Sequence, residues 1–177
     1  MVRYDASPTG SKMRIEGSST LHDWNMESTI VGGFLEADAG FPASSSKATV
    51  QVFTPVRSYK SSGGKKMDQV MQEHMKEPQF KMIKYSLIEL KPKAPAGAAG
   101  PVQFDAVGAL TILNNTVTNT TPVTVEKLAD GKIKVAGSTP LKMSDYKLPP
   151  PKALLGTINV EDDLNITFEW LLAPKAQ

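Results

Sequence analysis

Two histidines, His22 and His74, are the only imidazoles in the chain. That scarcity disfavours a histidine-rich metal centre, and a zinc site would need carboxylates for its remaining ligands. His22-Asp23 invites a reading as a catalytic dyad. Adjacent residues of an extended segment point in opposite directions, so the two groups do not converge, and the preferred reading is an imidazole that caps a loop by hydrogen bonds. Ser18, Ser19 and Ser44 to Ser46 have no nucleophile-elbow motif around them. Gly63-Gly64-Lys65-Lys66 does not match the spacing of a phosphate loop. The absence of cysteine removes disulfides, thiolate zinc sites and cysteine catalysis, without choosing a compartment. Nothing in this inventory supports an enzyme.

The methionines carry more information. There are eight, and Met67, Met71 and Met75 fall four residues apart. With Val70 and His74 they fit the i, i+3, i+4, i+7, i+8 template of an amphipathic helix over Lys65 to Lys76, stopped by Pro78. Lys65 and Lys66 stand where the helix dipole prefers acids, so the helix must be held by its apolar stripe. Thioether side chains make a soft surface that can repack around an irregular ligand. They also make ordinary core, and a helix over a barrel mouth could do both.

The elements that would position such a helix are strands. Val2 to Ser7 and Lys12 to Glu16 read as short strands, and Asn25 to Ala37 as a longer one broken by Gly32-Gly33, where a sheet curls. Gly40 to Ser46 is a loop, and Lys47 to Thr54 a strand with Ala48, Val50 and Val52 on one side. Tyr59 to Gly64 reads as flexible. Phe80 to Lys91 is a strand of ambiguous facing, because both sides are apolar. Pro92 to Pro101 reads as a mobile connection. Val102 to Leu113 aligns Phe104, Ala106, Gly108, Leu110 and Ile112, and Asn114-Asn115 opens a turn. Pro122 to Leu128 is a strand, Asp130-Gly131 a hairpin signal, and Ile133, Val135 and Leu141 one face of the next strand. Leu148-Pro-Pro-Pro-Lys152 must be a loop. In DLNITFEW, Leu164, Ile166, Phe168 and Trp170 alternate with Asp163, Asn165, Thr167 and Glu169, a strand with one wet face.

Sequentially linked short strands with turn chemistry between them, and one helix, give an all-β fold: an antiparallel barrel of eight strands with the helix packed near its mouth. At 177 residues, residues 1–177 read as one domain. The formal charge of +2 and the lack of basic runs interleaved with aromatics speak against nucleic acid. No apolar run approaches the roughly 20 residues of a membrane span. The opening MVRYDASPTGSK lacks the regions of a signal peptide, so export would require a signal already removed.

Set together, GSSTLHDW (Gly17 to Trp24), GGF (Gly32 to Phe34), GKKMDQVMQEHM (Gly64 to Met75), GALTI (Gly108 to Ile112) and KMSDYK…PP…ALLGTI (Lys142 to Ile158) occur in one order. That set resembles the YceI-like family over nearly the whole chain. The resemblance implies an extended lipocalin-like barrel, exported to the bacterial periplasm and often a homodimer, that holds the tail of an isoprenoid quinone or another long-chain amphiphile in an apolar tunnel. It implies a binder or carrier rather than a catalyst, with no cofactor beyond the bound lipid. By position it places Trp24, Phe34, Val52, Met67, Val70, Met71, Met75, Leu110, Ile112, Phe168 and Trp170 near the lipid. The competing expectation is an interaction module whose barrel is filled by its own side chains. The turn after GALTI reads Leu-Asn-Asn-Thr, where relatives commonly have a glycine.

Overall fold

Period-two alternation builds almost everything. In the computed structural model, which describes residues 1–21, 23–43, 45–61, 65–76, 78–93, 101–148, 152–153 and 158–175, the strands are β1 (Val2–Ala6), β2 (Lys12–Ser19), β3 (Asp23–Ser28), β4 (Gly32–Ala37), β5 (Ala48–Pro55), β6 (Lys60–Ser61), β7 (Met82–Pro92), β8 (Val102–Ile112), β9 (Asn115–Lys127), β10 (Ile133–Lys142), β11 (Lys152–Ala153) and β12 (Ile158–Pro174). The helix α1 spans Lys65–His74. All pairings are antiparallel, and eight strands close a ring in the order β1, β4, β5, β7, β8, β9, β10, β12, back to β1. The ring is a closed barrel, which leaves no free sheet edge around it.

Closure depends on β12, whose 17 residues run about 55 Å at strand rise. One edge pairs with β10 from Asp163 to Leu172. The other takes β2 from Val160 to Glu169, then β1 from Leu172 to Pro174. β1 and β2 are thus two pieces of one bent strand. At the break the backbone of Leu171 stays satisfied: its N–H donates to Ser11 Oγ at 2.9 Å, and its carbonyl accepts from the Ser7 N–H at 2.9 Å. β3 and β4 likewise form one strand interrupted at residues 29–31. There Ser28 Oγ accepts from Ile30 N–H at 3.1 Å, and Thr54 Oγ1 donates to the Ile30 carbonyl at 3.1 Å.

The interruption precedes the Gly32-Gly33 pair on which the sequence would put it. Gly33 still matters, because its φ of 118° suits only glycine and a Cβ there would strike the Gln51 carbonyl. The ambiguous strand β7 is explained by a register shift between Leu87 and Glu89. One extra residue flips parity, so Ile83, Tyr85 and Leu87 turn inward before it and Leu90 after it, leaving Ile88 exposed. β9 begins at Asn115, seven residues ahead of the Pro122 start expected from sequence. The β8–β9 turn takes a positive φ of 57° at Leu113, a position where glycine is the easy choice.

Two expectations are corrected outright. Tyr59 to Ser61 is not a loose segment: Tyr59 is 1% exposed, and β6 pairs with β3. Burial of the Tyr59 ring outweighs the glycine-serine character of the residues that follow it. Val70 does not join the buried stripe of α1 and is exposed. The helix is placed by Asp68, whose Oδ1 accepts from the Ser61 N–H at 2.6 Å, and that rotation leaves Val70 outside. The expectations for His22, Gly63-Gly64, the Pro149–Pro151 run and residues 94–100 lie outside the described residues.

Candidate functional site: a cavity inside the barrel

The inward faces leave an internal cavity of about 140 Å³. Its wall comes from strands on all sides: Val50 and Val52 of β5, Leu110 of β8, Val123 and Val125 of β9, Val135 of β10, Phe168 and Trp170 of β12. Phe41, from the loop before β5, closes one end. It is 2% exposed and stacks on Phe104 with ring centres 6.2 Å apart. Trp170 is fixed by donating its indole N–H to the Val31 carbonyl at 3.3 Å. A predominantly apolar cavity of this size accepts an apolar guest.

Glycines on inward faces do not simply leave room. A Cβ at Gly137 would fall 2.8 Å from the Phe168 ring, and one at Gly108 would strike the Tyr85 phenol. The Trp24 ring covers Gly17 in the same way. In each pair an aromatic side chain on the neighbouring strand takes the space that a Cβ on the glycine would need.

The residues proposed from sequence separate into three groups. Val52, Leu110, Phe168 and Trp170 meet in the cavity wall. Trp24, Met67, Met71, Met75 and Ile112 pack below it. Met75 and Ile112 share a cluster with Val56, Met143, Tyr146 and Leu148, while Met67 packs against Ile15, Met26 and Tyr59. Met71 and Trp24 touch both clusters. The methionine face of α1 therefore packs against these two clusters, with Met75 buried and Met67 and Met71 partly buried. Phe34 and Val70 belong to neither group: the Arg3 guanidinium sits 4.1 Å over the Phe34 ring, and Val70 is exposed.

Sequence reasoning missed the polar members. Tyr85, Asn119, Thr121 and Thr139 all border the cavity. Strand register accounts for this: Asn119 opposes Gly108, which lies under the Tyr85 ring, and Thr121 opposes Ala106. The signal was present in Val117-Thr-Asn119-Thr-Thr121-Pro-Val123, whose alternate residues share one face once β9 is started early enough. Burial pushes the Tyr85 hydroxyl up to about 12. Tyr146 approaches from the short 3-10 turn Met143–Tyr146 and is 1% exposed. Burial raises its pKa above the usual 10, the Asn119 amide opposes that, and Asp145 reinforces it. The turn is pinned by Asp162, which accepts from the Ser144 N–H at 2.8 Å, and by Asn115, whose amide donates to the Tyr146 carbonyl at 2.8 Å. Hydrogen bonding by Ser144 holds the Asp162 carboxyl below the usual carboxylate range.

These features define a class: closed antiparallel barrels of eight strands built around an internal apolar cavity. Within that class the chain belongs to the YceI-like domain family, which matches residues 4–171. Similar solved structures include BcnA of Burkholderia cenocepacia, 22% identical, with 92% of this chain and 96% of that one covered at a TM-score of 0.70. A polyisoprenoid-binding domain from Saccharophagus degradans implicated in plant cell wall breakdown is 15% identical, covered over 99% and 100%, at 0.76. The YceI protein of Campylobacter jejuni is 18% identical, covered over 86% and 85%, at 0.65. Among curated protein sequences no match is found.

Proposed function

We propose that this chain binds a long-chain neutral lipid of the isoprenoid type in its barrel, as a carrier or store, without catalysis, and that residues 1–177 act as one unit. The observation that carries the reading is the barrel cavity, whose wall, among the described residues, is apolar apart from four neutral polar side chains and includes no charged one. Family membership and the polyisoprenoid-binding domain among its structural relatives support it. The polar groups on the wall bind rather than ionise at neutral pH, as the Tyr85 hydroxyl near 12 illustrates. We also assign the chain to the periplasm, on the family resemblance.

At about 140 Å³ the cavity takes a ring-sized or short branched portion of such a molecule. A longer tail occupies the space now held by Phe41, a wall residue supplied by the loop before β5. Burying hydrocarbon stabilises the complex by about 0.8 kcal/mol per methylene before ordering costs, so a few isoprene units suffice.

A second reading, a barrel filled by its own side chains, is favoured by the aromatic rings that cover Gly17, Gly108 and Gly137. One experiment separates the two: organic extraction and mass spectrometry of purified protein, then a thermal melt before and after adding an isoprenoid. The lipid reading expects a long-chain neutral molecule in near-stoichiometric amount. Re-addition at a hundredfold excess over Kd stabilises by roughly 2.7 kcal/mol, several degrees for a chain of this length. No extracted lipid and no shift with any isoprenoid leaves the self-filled barrel.

A further inference from the structure

Charge is unevenly spread along the chain. Residues 57–84 hold seven of the twenty Lys and Arg but three of the eighteen Asp and Glu, a net +4 against −2 for the rest. Outside that segment many cations are matched: Arg3, Lys12, Arg14, Lys93, Lys134 and Lys142 each meet a carboxylate at 2.8–3.6 Å. Within it, Lys60, Lys65, Lys76, Lys81 and Lys84 are exposed and make no ion pair among the described residues. The Asp68 carboxylate is buried and accepts from the Ser61 N–H. Hydrocarbon is exposed at the same place: Ile30, Phe53 and Met82 are 55%, 43% and 38% exposed. Register brings them together. Phe53 opposes Gly32 on one side and Lys84 on the other, and Pro55 opposes Met82. Opposed residues share a face, so Phe53, Pro55, Met82 and Lys84 all point outward. The Ile30 carbonyl accepts from Thr54, next to Phe53. β5 carries no charged residue, and β7 no acidic one before Glu89. The Val56 N–H donates to the Lys81 carbonyl at 2.9 Å and ties the end of β5 to the start of β7. α1, with its exposed Lys65, Val70 and Lys76, packs on the 3-10 turn Val56–Ser58 that follows.

We propose that this surface docks on an anionic lipid bilayer, with Ile30, Phe53 and Met82 entering the interface and the lysines resting on phosphate head groups. Docking here is separate from occupancy of the cavity, and either can hold without the other. Each exposed lysine near an anionic surface adds about fivefold in affinity, the equivalent of roughly 1 kcal/mol. A small apolar patch binds weakly by itself, and the two weak signals together give a reversible attachment. Lysine stems lie along apolar surface while their ammonium groups reach the phosphates. A peptide strand has no edge to join, because β5 pairs with β4 and β7, and β7 with β5 and β8. A second copy docked by a two-fold would set the same unpaired cations against each other, which repulsion disfavours. Hydrocarbon ringed by cations, with no carboxylate on β5 or the first half of β7, matches the head-group region of an anionic membrane.

The test is cosedimentation with vesicles of phosphatidylcholine alone and of phosphatidylcholine mixed with phosphatidylglycerol. At low salt the parent should bind the mixed vesicles on the order of tenfold or more tighter than the neutral ones, and added salt should release it. Lys81→Gln combined with Lys84→Gln should weaken that binding by on the order of 25-fold. Both lysines are exposed, so the melting temperature should stay near that of the parent. Lys132→Gln combined with Lys134→Gln removes the same charge from a distant part of the barrel and should change binding by less than about twofold. Phe53→Trp reports on insertion: its emission, taken as the difference from the parent, should shift to the blue on mixed vesicles. Equal binding to both kinds of vesicle, or to neither, overturns the proposal. Equal losses from the two lysine pairs would show attraction by overall charge and no docking face, and an unshifted emission would show that the apolar patch stays in water. Sedimentation equilibrium covers the remaining occupant: if the parent is a dimer that Phe53→Ser dissociates, the patch joins two copies and docking on a bilayer is refuted. Lipid extracted from the barrel is measured separately, so each of these failures leaves the reading of the cavity standing.

Discussion

Replacing Gly108 with alanine tests the aromatic-over-glycine arrangement that bounds the cavity. Gly108 has ordinary backbone angles, so the new methyl brings no conformational strain, and alanine in a strand interior gains about 0.5–1 kcal/mol over glycine. The obstacle is steric: the added Cβ would overlap the Oη, Cζ and Cε2 atoms of Tyr85. The phenol is the far end of a rotatable side chain, so the least cost is a strained rotamer, about 0.5–1.5 kcal/mol, and the most is overpacking at about 1–3 kcal/mol. Gly108→Ala alone should therefore lower stability by up to about 2 kcal/mol, or roughly 4–8 °C. Leucine at position 85 ends before the overlapping atoms. In a Tyr85→Leu background the same Gly108→Ala change should become neutral or stabilising, by up to about 1 kcal/mol. Thermal or urea unfolding of the four proteins measures the coupling, expected at about 1–3 kcal/mol. Equal effects of Gly108→Ala in both backgrounds would show that Tyr85 does not lie over Gly108, and the drawn boundary of the cavity would be wrong.

Stability should also fall at high pH. Burial raises the hydroxyl pKa values of Tyr59, Tyr85 and Tyr146, so above the unfolded value near 10 the unfolded chain has lost protons that the folded chain keeps. The contribution is fully present below pH 10 and is lost as pH rises toward the folded values, about 12 for Tyr85; melting curves from pH 8 to 11 check it, and Tyr59→Phe should flatten the slope. On the helix, Val70→Lys should change stability by no more than about 0.5 kcal/mol because Val70 is exposed. Met75→Lys buries a charge and should cost about 3 kcal/mol or more; similar urea midpoints for the two variants would contradict the observed rotation of α1.

Much of this protein follows from its sequence through local rules. Leu164, Ile166, Phe168 and Trp170 face inward as their spacing requires, as do Phe104, Ala106, Gly108, Leu110 and Ile112, because successive side chains of a strand point to opposite faces whatever surrounds it. Enough such strands, with turn residues between them and one amphipathic helix, already require an antiparallel all-β fold, and four of the residues named from sequence, Val52, Leu110, Phe168 and Trp170, line one cavity. Parity, however, is local only until a bulge. The extra residue between Leu87 and Glu89 switches the facing of β7, and the sequence there is apolar on both sides and gives no sign of it. Rotation about a helix axis is likewise set by contacts: with the Ser61 N–H bonded to Asp68, Val70 is left in solvent and the methionines face the two clusters beside the cavity. Phe34 is apolar enough to be core, and only the position of Arg3 on the neighbouring β1 shows that its ring faces outward. Asn119 and Tyr146 lie 27 positions apart by their numbers, and neither is unusual in its own segment. Their meeting inside the barrel is a product of closure, which brings a mid-strand amide and the phenol of a distant turn to a common interior.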